Sequence, residues 1–181
     1  MHPEILSIAL FWFVTAYTPG PNNIVASYSG FNFGITKTIP HILGVTLGFT
    51  SLVFFLTVGL INVFKLFPII QEIIKYLGTL FLLYLAYKIS FSKISAEAER
   101  VNPVKFIETF LFQYLNPKGV MVAIIVVSTY VDLGENYLNY ATQVILLALI
   151  FSGTSITLWT FIGKFLRKFA TNDKFIKYFN Y

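Results

Sequence analysis

No cysteine occurs among the 181 residues, which excludes disulfides, thiolate metal sites and dithiol redox chemistry. Charge is scarce too: Asp, Glu, Lys and Arg make up 12% of the chain, about half the share of an ordinary soluble domain. Histidine is limited to His2 and His41, which the apolar segments place at opposite membrane surfaces, so no metal site and no cofactor is expected. No nucleophile, base and orienting group stand together at helical spacing, and the chain does not read as an enzyme. The net charge of +5 comes from basic residues that flank apolar segments. They do not form a stripe interleaved with aromatics, so the charge speaks for membrane topology and against nucleic acid.

What the chain has in abundance is apolar surface, with 56% hydrophobic and 18% aromatic residues. That is the composition of a membrane protein whose surroundings are a lipid bilayer. Counted in spans of roughly 20 apolar residues, the length leaves room for five or six. Five segments stand out, at 4–33, 41–64, 68–91, 104–130 and 138–163. Pro68 and Pro103 fall where the third and fourth begin, as suits proline in a first helical turn. The first segment, which opens with "ILSIALFWFVTAY", has no basic residue before it and no small-residue cleavage site after it, so it reads as a retained span. The expected fold class is an all-α membrane protein, a polytopic helical bundle with five spans.

Lys and Arg set the orientation. One side of the membrane collects Lys37, Lys88, Lys93, Arg100, Lys105, Lys164, Arg167, Lys168, Lys174 and Lys177, the other only Lys65 and Lys75. The rich side is expected to be cytoplasmic, which puts the N-terminus and the loop around Asp132 and Glu135 outside. Glu97 and Glu99 beside Arg100 read as a solvated cytoplasmic loop.

Two segments are interrupted. At about 46 Å if helical throughout, the first is too long for one straight span, and it contains "TPGPNN" at 18–23. Pro19 and Pro21 lack the N–H groups that would bond the Thr15 and Tyr17 carbonyls, and Gly20 relaxes the backbone between them. The fourth segment contains "QYLNPKGV", where Pro117 frees the Gln113 carbonyl and Gly119 loosens the next turn. Such backbone is tolerated at membrane depth only where protein buries it or where it lines a watery cavity. Pro19 and Pro117 are 98 positions apart, and the spans that follow repeat that spacing loosely. Three spans per unit force the second copy to enter from the opposite side, which gives two inverted three-helix repeats with broken first helices, at 1–91 and 92–181. Interrupted helices at matching positions of inverted halves point to a transport site.

Lys118 lies about 22 Å from Pro103 at helical rise, near mid-bilayer. A lysine there costs on the order of 3 kcal/mol and is a functional candidate. No carboxylate of the sequence is placed to neutralise it. Three readings are open: Lys118 snorkels to the interface, it tilts towards freed carbonyls of the first break, or it serves an anionic group of a substrate. Half-helices starting near Asn22 and Lys118 present N–H groups to a carboxylate, while the freed carbonyls of Thr15, Tyr17 and Gln113 and the Asn22, Asn23 and Asn116 amide oxygens can accept from an ammonium. An amino acid carries both ends. The candidate substrate-binding set is therefore Pro19, Gly20, Pro21, Asn22, Asn23, Gln113, Asn116, Pro117 and Lys118, with plain helix capping the competing role for each asparagine. Gly30, Gly34, Gly44 and Gly48 form small-xxx-small pairs that read as close helix packing. Tyr84, Tyr87 and Tyr114 read as packing or interface anchors rather than as a pathway lining.

"TPGPNN", the following "GFNFGITKTIPHILGVTLGF" and the later "FLFQYLNPKG" resemble the lysine-exporter family, LysE type, which includes the homoserine and threonine resistance exporters. The resemblance spans most of the chain. It implies a bacterial inner-membrane carrier, often dimeric, that exports amino acids or related small metabolites at the expense of an ion gradient. It also implies six spans in two inverted halves. After "FLRKFATNDKFIKYFNY" the sequence stops where a sixth span is expected, which leaves a non-transporting structural or interaction role as the alternative.

Overall fold

The computed structural model describes residues 2–90, 104–132 and 134–170, and every regular element among them is helical. The order is α1 (Ile5–Tyr17), α2 (Pro21–Phe55), a π-helical turn at Leu56–Leu60, α3 (Ile61–Leu66), α4 (Ile69–Ser90), α5 (Phe106–Leu115), α6 (Pro117–Tyr130) and α7 (Tyr137–Ala170). Arg100, Glu97, Glu99, Lys93, Pro103, Lys174 and Lys177 lie outside the described residues, as does the Tyr84 side chain.

Both predicted breaks are present, and the same local rule makes them. A residue before proline is driven from the α region into extended conformation. Thr18 precedes Pro19 and has φ −66°, ψ 140°, and Gly20 precedes Pro21 with φ −162°, ψ 177°. Asn116 precedes Pro117 with φ −78°, ψ 104°. Pro21 and Pro117 then open α2 and α6 at the first helical turn, where a missing N–H removes no hydrogen bond. By position, Pro21 rather than Pro19 is the counterpart of Pro117. The second break bends α5 against α6 by 61°.

A third interruption differs from the expectation of a polar connection between residues 33 and 41. Residues 35–40 are helical, and the chain turns at Gly34 alone, whose φ of +75° only glycine adopts readily. The Thr38 hydroxyl donates to the Gly34 carbonyl at 2.7 Å, which satisfies an acceptor left over by the turn. The reversal is visible in what each arm of α2 meets along α7. Before Gly34 the two chains run the same way: His2 N–H donates to Gln143, the Tyr17 hydroxyl to Thr154, and Arg167 to the Asn32 carbonyl at 3.4 Å. After it they run oppositely, with Thr46 against Gly153 and the Tyr137 hydroxyl donating to the Thr57 carbonyl. The second arm also runs alongside α5, where Gly44 meets Thr109, Gly48 meets Phe110, and Ser51 bonds Tyr114 at 2.8 Å.

Backbones approach closely because glycines face backbone. A β-carbon at Gly30 would overlap the Thr160 carbonyl, and one at Gly163 the Ser27 carbonyl, a reciprocal contact between two helices running the same way. Lipid chains are as apolar as leucine, so such close van der Waals packing, not hydrophobic exclusion, holds helices together in a bilayer. Gly30, Gly44 and Gly48 thus pack as expected, while Gly34 has nothing within 4 Å of a β-carbon and serves the turn. Gly78 of α4 rests on the Leu115 carbonyl and Pro117, so α4 backs the second break.

The main apolar core joins Ile8, Trp12, Leu52, Val53, Leu56, Val120, Ala123, Val126, Val127, Val144 and Ala148. The outside is apolar as well: Leu6, Leu10, Leu80, Met121 and Leu138 are all well exposed, a surface suited to lipid. Pro21–Val63 and Tyr137–Ala170 are long and apolar enough to cross a membrane, and the bent α5–α6 pair is a third such stretch if taken as one. The second apolar segment is not the uninterrupted helix expected, because Gly59, with φ +134°, breaks it inside the π-helical turn.

Candidate functional site

The two breaks meet. Lys118, one residue into α6, donates from Nζ to the Thr18 carbonyl at 2.8 Å and accompanies this with a 3.0 Å bond to the Thr18 hydroxyl. Its alkyl chain lies over Gly20, where an added β-carbon would stand 3.1 Å from Nζ. Of the readings open from sequence, the one in which Lys118 reaches the carbonyls of the first break describes this geometry. A third N–H of the ammonium remains for another acceptor.

The freed carbonyls are capped by side chains drawn from three elements. Asn23 Nδ2 donates to Ala16 at 3.0 Å and to Thr18 at 2.8 Å, and the Ser155 hydroxyl of α7 donates to Ala16 at 2.7 Å. The Thr18 hydroxyl turns back to the Thr15 carbonyl at 3.1 Å. Asn22 and Gln113 form a reciprocal amide pair, at 2.7 Å and 3.2 Å, that ties the start of α2 to the last turn of α5. Gln113 is fully buried and gives its remaining N–H to the Thr109 carbonyl at 2.7 Å. Asn23 therefore acts as a break cap, and Asn22 and Gln113 as a strut.

Between the breaks lies a small, partly open cavity of about 70 Å³. Gly20, Pro21, Asn22, Asn23, Asn116, Lys118 and Gly119 contribute to its wall from the breaks. Pro19, Pro117 and Gln113 do not reach the wall: the prolines shape the breaks, and Gln113 stands behind Asn22. Among the described residues Lys118 is the only ionisable residue of the wall, and no carboxylate accompanies it there. Asn116 Oδ1 is buried without a hydrogen-bond partner.

Sequence reasoning missed the rest of the wall. Trp12 and Thr15 come from α1, Val45 and Phe49 from the second arm of α2, Val122 from α6, and Ser152, Ser155 and Ile156 from α7. The one available signal was "SGTS" at 152–155, a polar run inside an apolar segment. Tyr114 is outside the wall and bonds Ser51 instead. His41 corrects another expectation: it is not at a membrane surface but 1% exposed inside the bundle. His2 stands far from it along the chain path, bonded to the Tyr130 carbonyl at 3.0 Å. Among the described residues no cluster of three or more His, Asp or Glu groups could hold a metal.

Comparison with known proteins identifies a family. The family model for the LysE type translocator matches residues 13–180. The cysteine/O-acetylserine efflux protein of Salmonella typhimurium (strain LT2) is 36% identical over 155 residues, covering 83% of this chain and 78% of the relative. Its namesake from Escherichia coli (strain K12) is 30% identical with the same coverage. No solved structure matches. With both helix breaks in place and a family match over most of its length, the chain belongs to the LysE-type translocator family.

Proposed function

We propose that this protein is a secondary transporter that exports a small amino acid or a closely related metabolite across the bacterial inner membrane, and that the cavity between the breaks holds the substrate. The observation that carries the reading is the meeting of two broken helices across one cavity whose wall, among the described residues, has a single cation, Lys118, and no carboxylate. A zwitterion fits that imbalance. Its carboxylate takes the free N–H of Lys118, and its ammonium is held by Asn116 Oδ1 with the Asn22 and Asn23 oxygens nearby. The relatives' names point to substrates with short, uncharged side chains, which suits a cavity walled by Val45, Phe49, Val122 and Ile156.

The architecture proposed is two inverted repeats, 1–91 and 92–181, working by alternating access of one against the other. Support comes from chain direction. α1 with the first arm of α2 runs parallel to α7, α5 runs parallel to the second arm of α2, and that second arm and α7 are antiparallel to one another. That is the relation an inverted repeat produces. Because Pro21–Val63 doubles back at Gly34, it supplies the inner part of one span and the whole of another, which favours five spans over the described residues. Lys164, Arg167 and Lys168 gather beside the Gly34 turn, opposite the end that holds His2 and Tyr130, which favours a cytoplasmic turn and an external N-terminus. A homodimer is proposed on the family resemblance alone. The non-transporting alternative is not favoured, since family and cavity both speak for export.

The test is transport by the purified protein in proteoliposomes loaded with O-acetyl-L-serine, L-cysteine, L-serine or L-lysine, under an imposed proton or sodium gradient. Gradient-dependent release of a short neutral amino acid is expected. Failure of every amino acid, with protein that is folded and inserted, refutes the exporter reading.

A further inference from the structure

Most polar groups in the cavity wall already have partners. Thr15 bonds Phe11, Asn22 bonds Gln113, Asn23 bonds Ala16 and Thr18, Ser155 bonds Ala16, and Lys118 bonds Thr18. Among the described residues two fully buried atoms do not, the donor Trp12 Nε1 and the acceptor Asn116 Oδ1, both on residues of this one wall. A buried polar atom without a partner is costly and uncommon, and a matched donor and acceptor beside a cavity are what a polar ligand would satisfy. Trp12 is also well fixed. It is 1% exposed and packs edge-on against Phe49, with ring centroids 5.5 Å apart at 89°.

We propose that the Trp12 Nε1–H is a ligand contact, donating to an oxygen on the substrate's side chain, and that it sets a preference for short uncharged amino acids bearing a hydroxyl or ester oxygen, while Asn116 Oδ1 takes the ammonium common to every amino acid. This rests on the reading of the cavity as an amino-acid site and adds its selectivity. An aliphatic substrate such as alanine leaves the indole N–H unpaired, whereas serine or its O-acetyl ester occupies it. Sites built to hydrogen-bond a substrate group discriminate against the analogue lacking it for this reason. A second charge on the substrate would be desolvated against Val45, Phe49, Val122 and Ile156 with no partner in the wall, so lysine and glutamate are rejected.

The chain has two tryptophans, which allows a direct test. Trp159 is absent from the cavity wall and packs with Ala26, Val45 and Ile156. In Trp159→Phe protein, emission therefore reports on Trp12. L-Serine and O-acetyl-L-serine are expected to shift that emission, and L-lysine to leave it unchanged. In ligand-induced thermal stabilisation, wild type is expected to prefer L-serine to L-alanine by about tenfold, falling to less than about twofold in Trp12→Phe, as loss of one hydrogen bond implies. An unchanged serine-to-alanine ratio in Trp12→Phe, or a silent Trp12 emission with an amino acid that stabilises the protein, overturns the inference while leaving the amino-acid site intact. Should Trp12→Phe fail to fold, the emission of the Trp159→Phe protein decides. If no amino acid stabilises wild type, the substrate-site reading falls and this selectivity falls with it.

Discussion

Replacing Lys118 by methionine separates its two possible services, bracing the break and holding a ligand. On the stability side the terms partly offset one another. The variant loses two bonds to Thr18, at 2.8 Å and 3.0 Å, each with a charged donor and so worth roughly 1.5–3 kcal/mol where well formed. It also sheds a membrane-depth charge that costs on the order of 3 kcal/mol. The Thr18 carbonyl is not orphaned, because Asn23 Nδ2 still donates to it at 2.8 Å. Lys118→Met is therefore expected to fold and insert, with a net loss of about 0–3 kcal/mol and a melting temperature no more than about ten degrees below wild type. Ligand binding behaves differently: a carboxylate deprived of its only cation loses a charge-assisted bond of about 1.5–3 kcal/mol, or about ten- to hundredfold in affinity. Lys118→Arg is expected to recover little, since Nζ already lies 3.1 Å from where a Gly20 β-carbon would be and a planar guanidinium needs more room. The assay is thermal stabilisation of detergent-purified protein by O-acetyl-L-serine across a concentration series. Equal stabilisation of wild type and Lys118→Met would remove Lys118 from the site and leave it as a brace for the first break.

Four further outcomes are expected. Gly30→Leu drives a side chain into the Thr160 carbonyl and should lower the melting temperature sharply or block folding, whereas Gly34→Ala, with open space but φ +75°, should cost about 1 kcal/mol through backbone strain; a larger loss for Gly34→Ala than for Gly30→Leu would contradict the packing described. Asn22→Ala leaves the buried Gln113 oxygen unpaired and should destabilise by about 1–3 kcal/mol, while adding Gln113→Met should restore part of that, read by a double-mutant cycle of chemical or thermal unfolding. Cysteines placed singly at Lys168 and Asp132 should be labelled by an impermeant reagent in intact cells only at 132, and the reverse pattern would invert the proposed topology. Cysteines paired at Asn22 and Asn116, in a chain with no other thiol, should cross-link with a short reagent, and consistent failure in folded protein would separate the two breaks.

The breaks were legible because proline acts locally. Pro19, Pro21 and Pro117 impose extended conformation on Thr18, Gly20 and Asn116 whatever surrounds them, so their effect can be read from the residues alone. The turn at Gly34 was not legible at its true position. "GFNFG" offers two glycines at packing distance, and only the tertiary arrangement decides that Gly30 meets a carbonyl while Gly34 meets nothing. His41 was misplaced for a related reason: the polar stretch "TKTIPH" suggested a surface loop, yet Thr38 and His41 are buried in a helix continuing from the turn. Half the cavity wall was beyond reach, because Trp12, Phe49 and Ile156 are apolar residues in apolar segments. Nothing local distinguishes a residue that faces a ligand from one that faces a neighbouring helix.

The carbonyls freed by the breaks were expected to be open acceptors, and here the physics of burial gives a different arrangement. An unpaired carbonyl in a lipid setting costs several kcal/mol, so the protein has drawn Asn23, Ser155 and Lys118 onto Ala16 and Thr18. An ammonium would have to displace one of these donors, which makes the carbonyls poor ligands and leaves Asn116 Oδ1 as the better acceptor. Redundant capping of Thr18 has a mechanical consequence as well. Because Asn23 from the same break also holds that carbonyl, Lys118 can turn to a carboxylate without stranding it. The bond it would loosen is a direct link between the first break and the second, 100 positions apart in the chain. Under the proposed exporter reading, a substrate that drew Lys118 from Thr18 rather than taking only its free N–H would weaken the contact between the proposed repeats, and binding and motion would then be joined through one side chain.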